Sequence, residues 1–137
     1  MFEMRSNLYI VDGIERRIFN DVMDLLVLSM LYGDGVEISG YDVIKYLHRR
    51  FRFLPSAGTV YSLLYAMERK GLLKGEQNGE KRVYTLTNKG KETAKVIFSA
   101  KDRIVTFVSA LFNEKGFSRL QLQPLILASS RESSAEP

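Results

Sequence analysis

The sequence predicts a mainly α-helical protein with one small β-hairpin. Apolar residues recur at helical spacing in several segments, and residues that favour helix starts and ends stand between these segments. Two short β-prone runs also flank an Asn-Gly dipeptide, which is a strong hairpin signal. With 137 residues, of which 45% are hydrophobic, the chain has enough apolar material for one folded domain.

The first part of the chain is expected to hold an arm followed by a helix. Residues 1–13 carry scattered apolar residues, and we expect them to form an N-terminal arm with a short strand or turn. From Ile14 the pattern becomes helical and continues to Tyr32. Gly33 and Gly35 follow directly, and they supply the backbone freedom that a helix end and a turn need.

Two shorter helices are expected next. Ser39 is a good N-cap residue for the first of them. Its apolar stripe consists of Tyr41, Ile44, Leu47 and Phe51. Pro55 ends this helix, because a proline moves the residue before it out of the helical conformation. Ser56 caps the next helix, which Gly71 terminates. Its amphipathic stripe is the clearest in the chain and consists of Val60, Leu63, Leu64 and Met67.

A hairpin and a long helix complete the order of elements. Two β-prone runs, 72–74 and 82–86, stand on either side of a turn at 77–80. Thr87 is expected to cap a last helix of about residues 88–112.

This order of elements predicts a winged helix-turn-helix in residues 14–87, with the hairpin as the wing. A long C-terminal dimerisation helix follows in the segment 88–116, which ends at Gly116. The tail, 117–137, is expected to be partly disordered. Its apolar part is expected to form a short docking helix, and the residues from Ser129 have a composition typical of disorder.

The net charge of +4 is unevenly distributed along the chain. Residues 45–91 hold eleven basic and three acidic residues, a net charge of +8, whereas the rest of the chain carries −4. The basic middle coincides with the second helix, the third helix and the wing, which is the distribution that binding to duplex DNA requires. The alternative interpretation is a solvated face without a nucleic-acid partner.

Composition excludes several other chemistries. The chain has no cysteine, which rules out disulfides, thiolate metal sites and cysteine nucleophiles. His48 is the only histidine, and no motif supplies a nucleophile or an orienting carboxylate beside it. We therefore expect no catalytic residue, no metal site and no cofactor. No transmembrane or secretory segment is recognisable, so we expect a cytoplasmic protein without a membrane partner.

The stretch from Pro55 to Leu73 carries the most informative motif. It contains Gly-Thr-Val-Tyr, two large apolar residues and Glu-Arg-Lys-Gly-Leu, and it resembles the recognition-helix signature of the PadR-like transcriptional regulators. Residues 39–44 and 82–90 resemble the family's entry to the second helix and its wing strand. The resemblance covers about residues 24–91. It implies a DNA-binding regulator, a repressor in the usual case, whose last helix is similar to the family's dimerisation helix.

The residues expected to contact DNA lie on two elements. The recognition helix, about 56–70, is expected in the major groove, and the wing, about 74–85, on the phosphate backbone or in the minor groove. The expected contacts are Ser56, Gly58, Thr59, Tyr61, Ser62, Tyr65, Lys74, Lys81 and Arg82. The free N–H groups at the start of the helix favour a phosphate.

Each of these assignments has a structural alternative. Ser56 is a capping residue as well as a candidate phosphate contact. Tyr61 is suited to core packing as well as to a groove. The wing cations are also explained as solvated hairpin charges, and Glu76 and Glu80 support that alternative because they would repel phosphate.

The last helix is expected to mediate a homodimer, because it cannot bury its apolar face against so small a domain. The expected dimer residues are Ile97, Phe98, Ile104, Val105, Val108, Leu111 and Phe112. A two-fold dimer would place two recognition helices about 34 Å apart on a palindromic DNA site. The family resemblance also implies a small aromatic effector at the dimer interface, although the chain has no tryptophan. A winged-helix module that binds proteins, without specific DNA binding, is the alternative function.

Overall fold

The computed structural model describes residues 2–116, 118 and 119, and side-chain burial from residue 7 onward. The chain divides into two compact units, with the first ending at Ser99 and the second beginning at Ala100. The elements in chain order are α1 (Phe2–Asp21), α2 (Met23–Leu31), β1 (Ile38–Ser39), α3 (Gly40–Phe51), α4 (Ala57–Arg69), β2 (Leu73–Asn78), β3 (Lys81–Leu86), α5 (Asn88–Ser99) and α6 (Lys101–Ala110).

The N-terminal prediction is wrong in two respects. The expected arm, residues 1–13, belongs to α1, because apolar residues such as Ile10, Ile14 and Ile18 recur every four positions from well before residue 14. The expected single helix to Tyr32 is instead divided at Val22, whose ψ of 18° departs from helical geometry.

Helix α3 starts where its cap predicts, and three of the four predicted stripe residues contribute to the core: Leu47 is buried, and Ile44 and Phe51 pack against the core. Ser39 Oγ accepts a hydrogen bond from Asp42 N at 3.2 Å, and Asp42 Oδ2 accepts one from Ser39 N at 3.0 Å. This capping box confirms the predicted helix start. The predicted core position Tyr41 is wrong, since 61% of it is exposed, and Val43 is fully buried in its place.

The third predicted helix is confirmed as α4. Ser56 is its N-cap and accepts a hydrogen bond from Thr59 N at 3.1 Å. Val60, Leu64 and Met67 are buried, so the amphipathic pattern places this face of α4 in the core.

The wing is part of a three-stranded antiparallel sheet with the order β1-β3-β2. The pairing of β2 with β3 runs from Leu73↔Leu86 to Asn78↔Lys81. The hairpin loop is therefore only Gly79 and Glu80, shorter than the predicted turn at 77–80, and Gly79 has a φ of 64° that favours glycine. The sequence does not reveal β1, because it has only two residues.

A core between the end of α1, helices α2, α3, α4 and α5, and the sheet holds the first unit together. Its buried hydrophobic residues are Phe19, Met23, Val27, Leu28, Leu31, Ile38, Val43, Leu47, Val60, Leu64, Met67, Leu73, Tyr84 and Ala94. Since α4 and β3 both contribute to this core, the recognition helix and the wing are held by one packed body.

The predicted long helix over 88–112 is two helices. Thr87 caps α5 as expected, since its Oγ1 accepts a hydrogen bond from Gly90 N at 3.0 Å. The helix stops at Ser99, and α6 begins after Ala100, whose ψ of 8° departs from helical geometry. Ile97, expected in the dimer surface, packs instead against the core of the first unit. The predictions for the tail beyond residue 119 lie outside the described residues.

None of the helices in the described part of the chain has both the length and the apolar character that a membrane span needs.

Candidate nucleic-acid interface

The solvent-facing side of α4 collects the residues that are expected to contact DNA. Because Val60, Leu64 and Met67 face the core, the opposite side of the helix is free. The expected contact residues on this helix are all exposed: Ser56, Gly58, Thr59, Tyr61, Ser62 and Tyr65. The alternative of core packing for Tyr61 does not hold, since 49% of this residue is exposed.

The start of α4 has an open, polar surface. The hydroxyl groups of Ser56 and Thr59 are hydrogen-bonded to each other at 2.7 Å, and Ser56 also caps the helix. Apart from its chain neighbours and the backbone of its own helix, Gly58 has no described atom within 4 Å of the position that a Cβ would take, so the space at this position is open. The first N–H groups of a helix have no partners within the helix, and its dipole favours an anion there.

Tyr61 is positioned by the glycine at the start of α3. A Cβ added to Gly40 would lie 2.3 Å from Cε1 of the Tyr61 ring, so the ring occupies the space above this glycine. The absence of a side chain at residue 40 therefore leaves the space that the Tyr61 ring occupies.

A groove of about 300 Å³ brings α3, α4 and the wing together. Gly40 and Tyr41 line it from α3, Tyr61 lines it from α4, and Lys81 and Arg82 line it from the wing. The structure thus places a predicted recognition-helix residue and two predicted wing residues at one site.

The three predicted wing cations differ in how free their charges are. Lys74 Nζ lies 3.0 Å from Glu76 Oε1, and Arg82 Nη2 lies 2.5 Å from Glu68 Oε1. Lys81 is exposed and has no ion-pair partner among the described residues. Lys81 is therefore the wing cation whose charge is most available to a phosphate.

Two acidic groups lie near Lys81: Glu80, which lines the same groove, and Asp42, whose carboxyl is influenced by the charge of Lys81. The hydrogen bond from the Ser39 N–H holds the pKa of the Asp42 carboxyl below its usual value, and the positive charges of Lys81 and Lys45 act in the same direction. Asp42 therefore stays ionised in its capping role and offsets part of the positive charge at the groove.

Sequence reasoning missed Arg69, although the helical spacing could have found it. Residues 61, 65 and 69 follow one another at intervals of four, which places them on one helix face. Tyr61, Ser62, Tyr65 and Arg69 line a shallow depression of about 340 Å³ on this face. Arg69 adds a cation at the far end of the same surface.

The α3–turn–α4 pair, followed by an antiparallel hairpin that packs on the same core, defines a winged helix-turn-helix domain. The sequence model of the transcriptional regulator PadR-like family matches residues 27–96, which span this domain. The chain belongs to the PadR-like family of transcriptional regulators, as the motifs in residues 24–91 predicted.

Solved structures of the same family are similar to this fold. A PadR family transcription regulator from Clostridium difficile is 26% identical, with a TM-score of 0.57, over 67% of this chain and 99% of that chain. A family member from Eggerthella lenta is 24% identical with a TM-score of 0.64, over 80% and 98% of the two chains. One from Bacillus cereus is 24% identical with a TM-score of 0.59, over 69% and 95%. A comparison with proteins of curated function gives no match.

Proposed function

We propose that this protein is a homodimeric transcriptional repressor that binds a palindromic DNA operator through α4 and the wing. The observation that carries the proposal is the groove that Tyr61 of α4 and Lys81 of the wing line together. A recognition helix inserted into the major groove and a wing on the neighbouring backbone require these two elements to face the same duplex.

The residues of α4 divide into two roles in this proposal. Ser56, Gly58 and Thr59 at the start of the helix bind a phosphate, since their surface is open and the helix dipole favours an anion. Ser62 and Tyr65, farther along the exposed face, contact base edges in the major groove.

Electrostatic attraction supplies the part of the affinity that does not depend on DNA sequence. Lys81 of the wing lines the groove with Tyr61, and Arg69 lies in the last turn of α4; among the described residues neither cation has an ion-pair partner. Lys74 contributes less, because Glu76 lies 3.0 Å away and offsets its charge.

Apolar surface on α6 supports the homodimer. The expected dimer residues on α6 and directly after it are all at least 40% exposed: Ile104, Val105, Val108, Leu111 and Phe112. The first unit carries a second apolar stripe on α1, where Ile10, Ile14 and Ile18 are also exposed. Burying either surface against a second copy would remove apolar area from water.

Titration of labelled duplex DNA tests the proposal. We expect binding to a random duplex at low salt, with log affinity falling steeply as log salt rises. Thr59→Val replaces the hydroxyl with a methyl group of similar size, and Lys81→Ala removes the free wing cation. Both are expected to weaken binding, whereas Lys101→Ala on α6 serves as the matched control and leaves it unchanged. No binding by a folded wild-type protein at low salt would refute the proposal and favour a protein-binding module.

A further inference from the structure

Arg82 is held against α4 rather than extended from the wing. Its Nη2 donates a hydrogen bond to Oε1 of Glu68 at 2.5 Å, although the two residues are 14 positions apart in sequence. Glu68 lies in the last turn of α4 and Arg82 on β3. The pair therefore connects the two elements that the proposed function places on DNA.

Two neighbouring residues, Gly75 and Tyr84, accommodate the Arg82 side chain in this position. A Cβ added to Gly75 on β2 would lie 2.7 Å from Arg82 Nε, so the guanidinium occupies the space that a larger residue would fill. The carbon of the guanidinium also lies 5.8 Å from the centroid of the buried Tyr84 ring. Arg82 is thus packed by both strands of the wing as well as paired with α4.

The Nε atom of Arg82 has no access to solvent. Arg82 Nε is buried and has no hydrogen-bond partner among the described residues. Leaving an N–H unpaired costs free energy, which a solvated arginine would avoid by extending into water. The ion pair and the contact with the ring of Tyr84 offset this cost.

The other ion pair of the wing provides a contrast. The Lys74 and Glu76 side chains are 67% and 62% exposed, and both residues belong to β2. The Arg82 and Glu68 side chains are only 39% and 25% exposed, and they join different elements. Of these two pairs, only the second can fix the wing relative to α4.

From this geometry we infer that Glu68 and Arg82 are positioning residues, which set the wing on α4 so that Lys81 reaches DNA while Arg82 binds no phosphate. This inference rests on the proposed function and replaces the expected DNA contact at Arg82. In this arrangement the position of the wing relative to the recognition helix depends on the ion pair between the Glu68 carboxylate and the Arg82 guanidinium.

Glu68→Gln separates a positioning role from a purely electrostatic one, because the two roles predict opposite changes in DNA affinity. If Glu68 only contributes charge, its neutralisation makes the DNA-binding face more positive and strengthens binding. If it positions the wing, affinity for a duplex enriched from a random pool falls by about tenfold, which corresponds to about 1.4 kcal/mol. Glu76→Gln is the matched control, because it removes a carboxylate of the wing that joins no second element. It is expected to leave affinity unchanged or slightly higher.

The salt dependence of the Arg82 variants separates positioning from phosphate binding. We expect Arg82→Gln to weaken binding about as much as Glu68→Gln, with no further decrease in the double variant. The slope of log affinity against log salt should stay at its wild-type value. A slope that becomes shallower by about 0.9 for each subunit in Arg82→Gln would show that the arginine neutralises a phosphate and would overturn the inference. Arg82→Lys, which keeps the charge, is expected to recover part of the affinity.

Amide hydrogen exchange in the free protein tests the same pair without DNA. We expect faster exchange in the β2–β3 hairpin of Glu68→Gln and Arg82→Gln, and wild-type exchange in Glu76→Gln. If either glutamine variant fails to fold, Arg82→Lys provides the same measurement. Equal exchange in all variants would overturn the positioning role. This measurement needs no duplex, so its result does not depend on DNA binding. A wild-type protein that binds no DNA would refute the proposed function, whereas the exchange rates alone would still decide whether Glu68 and Arg82 position the wing.

Discussion

Gly40→Ala should weaken DNA binding while it leaves the stability of the fold nearly unchanged. The added Cβ would lie 2.3 Å from Cε1, 2.8 Å from Cδ1 and 2.9 Å from Cζ of Tyr61. Carbon atoms in contact are about 3.5 to 4.0 Å apart, so the ring must move by roughly 1 Å or more. The helices themselves are held by buried residues such as Val43 and Val60. The half-exposed ring is therefore the part that moves.

The two consequences of this movement differ in size. Loss of ring packing is expected to cost about 1 kcal/mol of unfolding free energy, and alanine in place of a helical glycine offsets up to about the same amount. Stability should thus change by less than about 1 kcal/mol. Tyr61 is an expected DNA contact, and a hydrogen bond from its hydroxyl to DNA would be worth about 1.5 kcal/mol, so its displacement should lower affinity by about tenfold for each subunit.

Fluorescence anisotropy with the pool-enriched duplex, together with urea unfolding, measures both quantities. Gly13→Ala is the matched control, because no atom lies within 4 Å of the added Cβ on that exposed helix. In a Tyr61→Ala background, Gly40→Ala should have no further effect on affinity. A folded Gly40→Ala variant that binds as tightly as the wild type would refute this role of the glycine. So would an equally large decrease in affinity when the tyrosine ring is absent.

Three further predictions concern stability and assembly. Gly90→Ala places a Cβ 2.2 Å from the Leu72 carbonyl oxygen, and we expect a decrease of about 2 to 3 kcal/mol in the free energy of urea unfolding; a stability equal to that of Gly13→Ala would contradict this. The hydrogen bond from Ser39 N–H lowers the pKa of Asp42 in the folded state, so its stabilisation is present above about pH 4 and is lost as the pH falls further. The thermal midpoint of the wild type should therefore fall more steeply on acidification than that of Asp42→Asn, and parallel curves would disprove the assignment. Val105→Glu on the exposed face of α6 should raise the dimer dissociation constant by about tenfold or more in sedimentation equilibrium, with Thr106→Glu as the matched control. Equal effects of the two would remove α6 from the interface.

Local sequence patterns predict the elements that local interactions determine. Ser39, Ser56 and Thr87 accept the capping hydrogen bonds expected of them, and the apolar spacing of α4 places its core face correctly. These features depend on residues three or four positions apart, which a single sequence displays directly.

The errors arise where the structure depends on distant residues. The apolar residues at 10, 14 and 18 are 40% to 60% exposed although they recur at helical spacing, so a search for buried faces overlooks the helix that this spacing indicates. Two residues of β1 form a strand only because β3 lies beside them. The partner of Arg82 lies 14 positions earlier in the chain, across a hairpin whose packing on α4 has no local signature.

The close approach of Gly40 to the Tyr61 ring also limits how far DNA contacts inferred for one family member apply to another. A relative with a side chain at the position of Gly40 must place its aromatic residue elsewhere, even if its recognition helix is identical in sequence. Under the proposed function, operator preference would therefore depend on the residue at position 40 as well as on α4. The first residue of α3 belongs to any sequence comparison that aims to infer which DNA these regulators read.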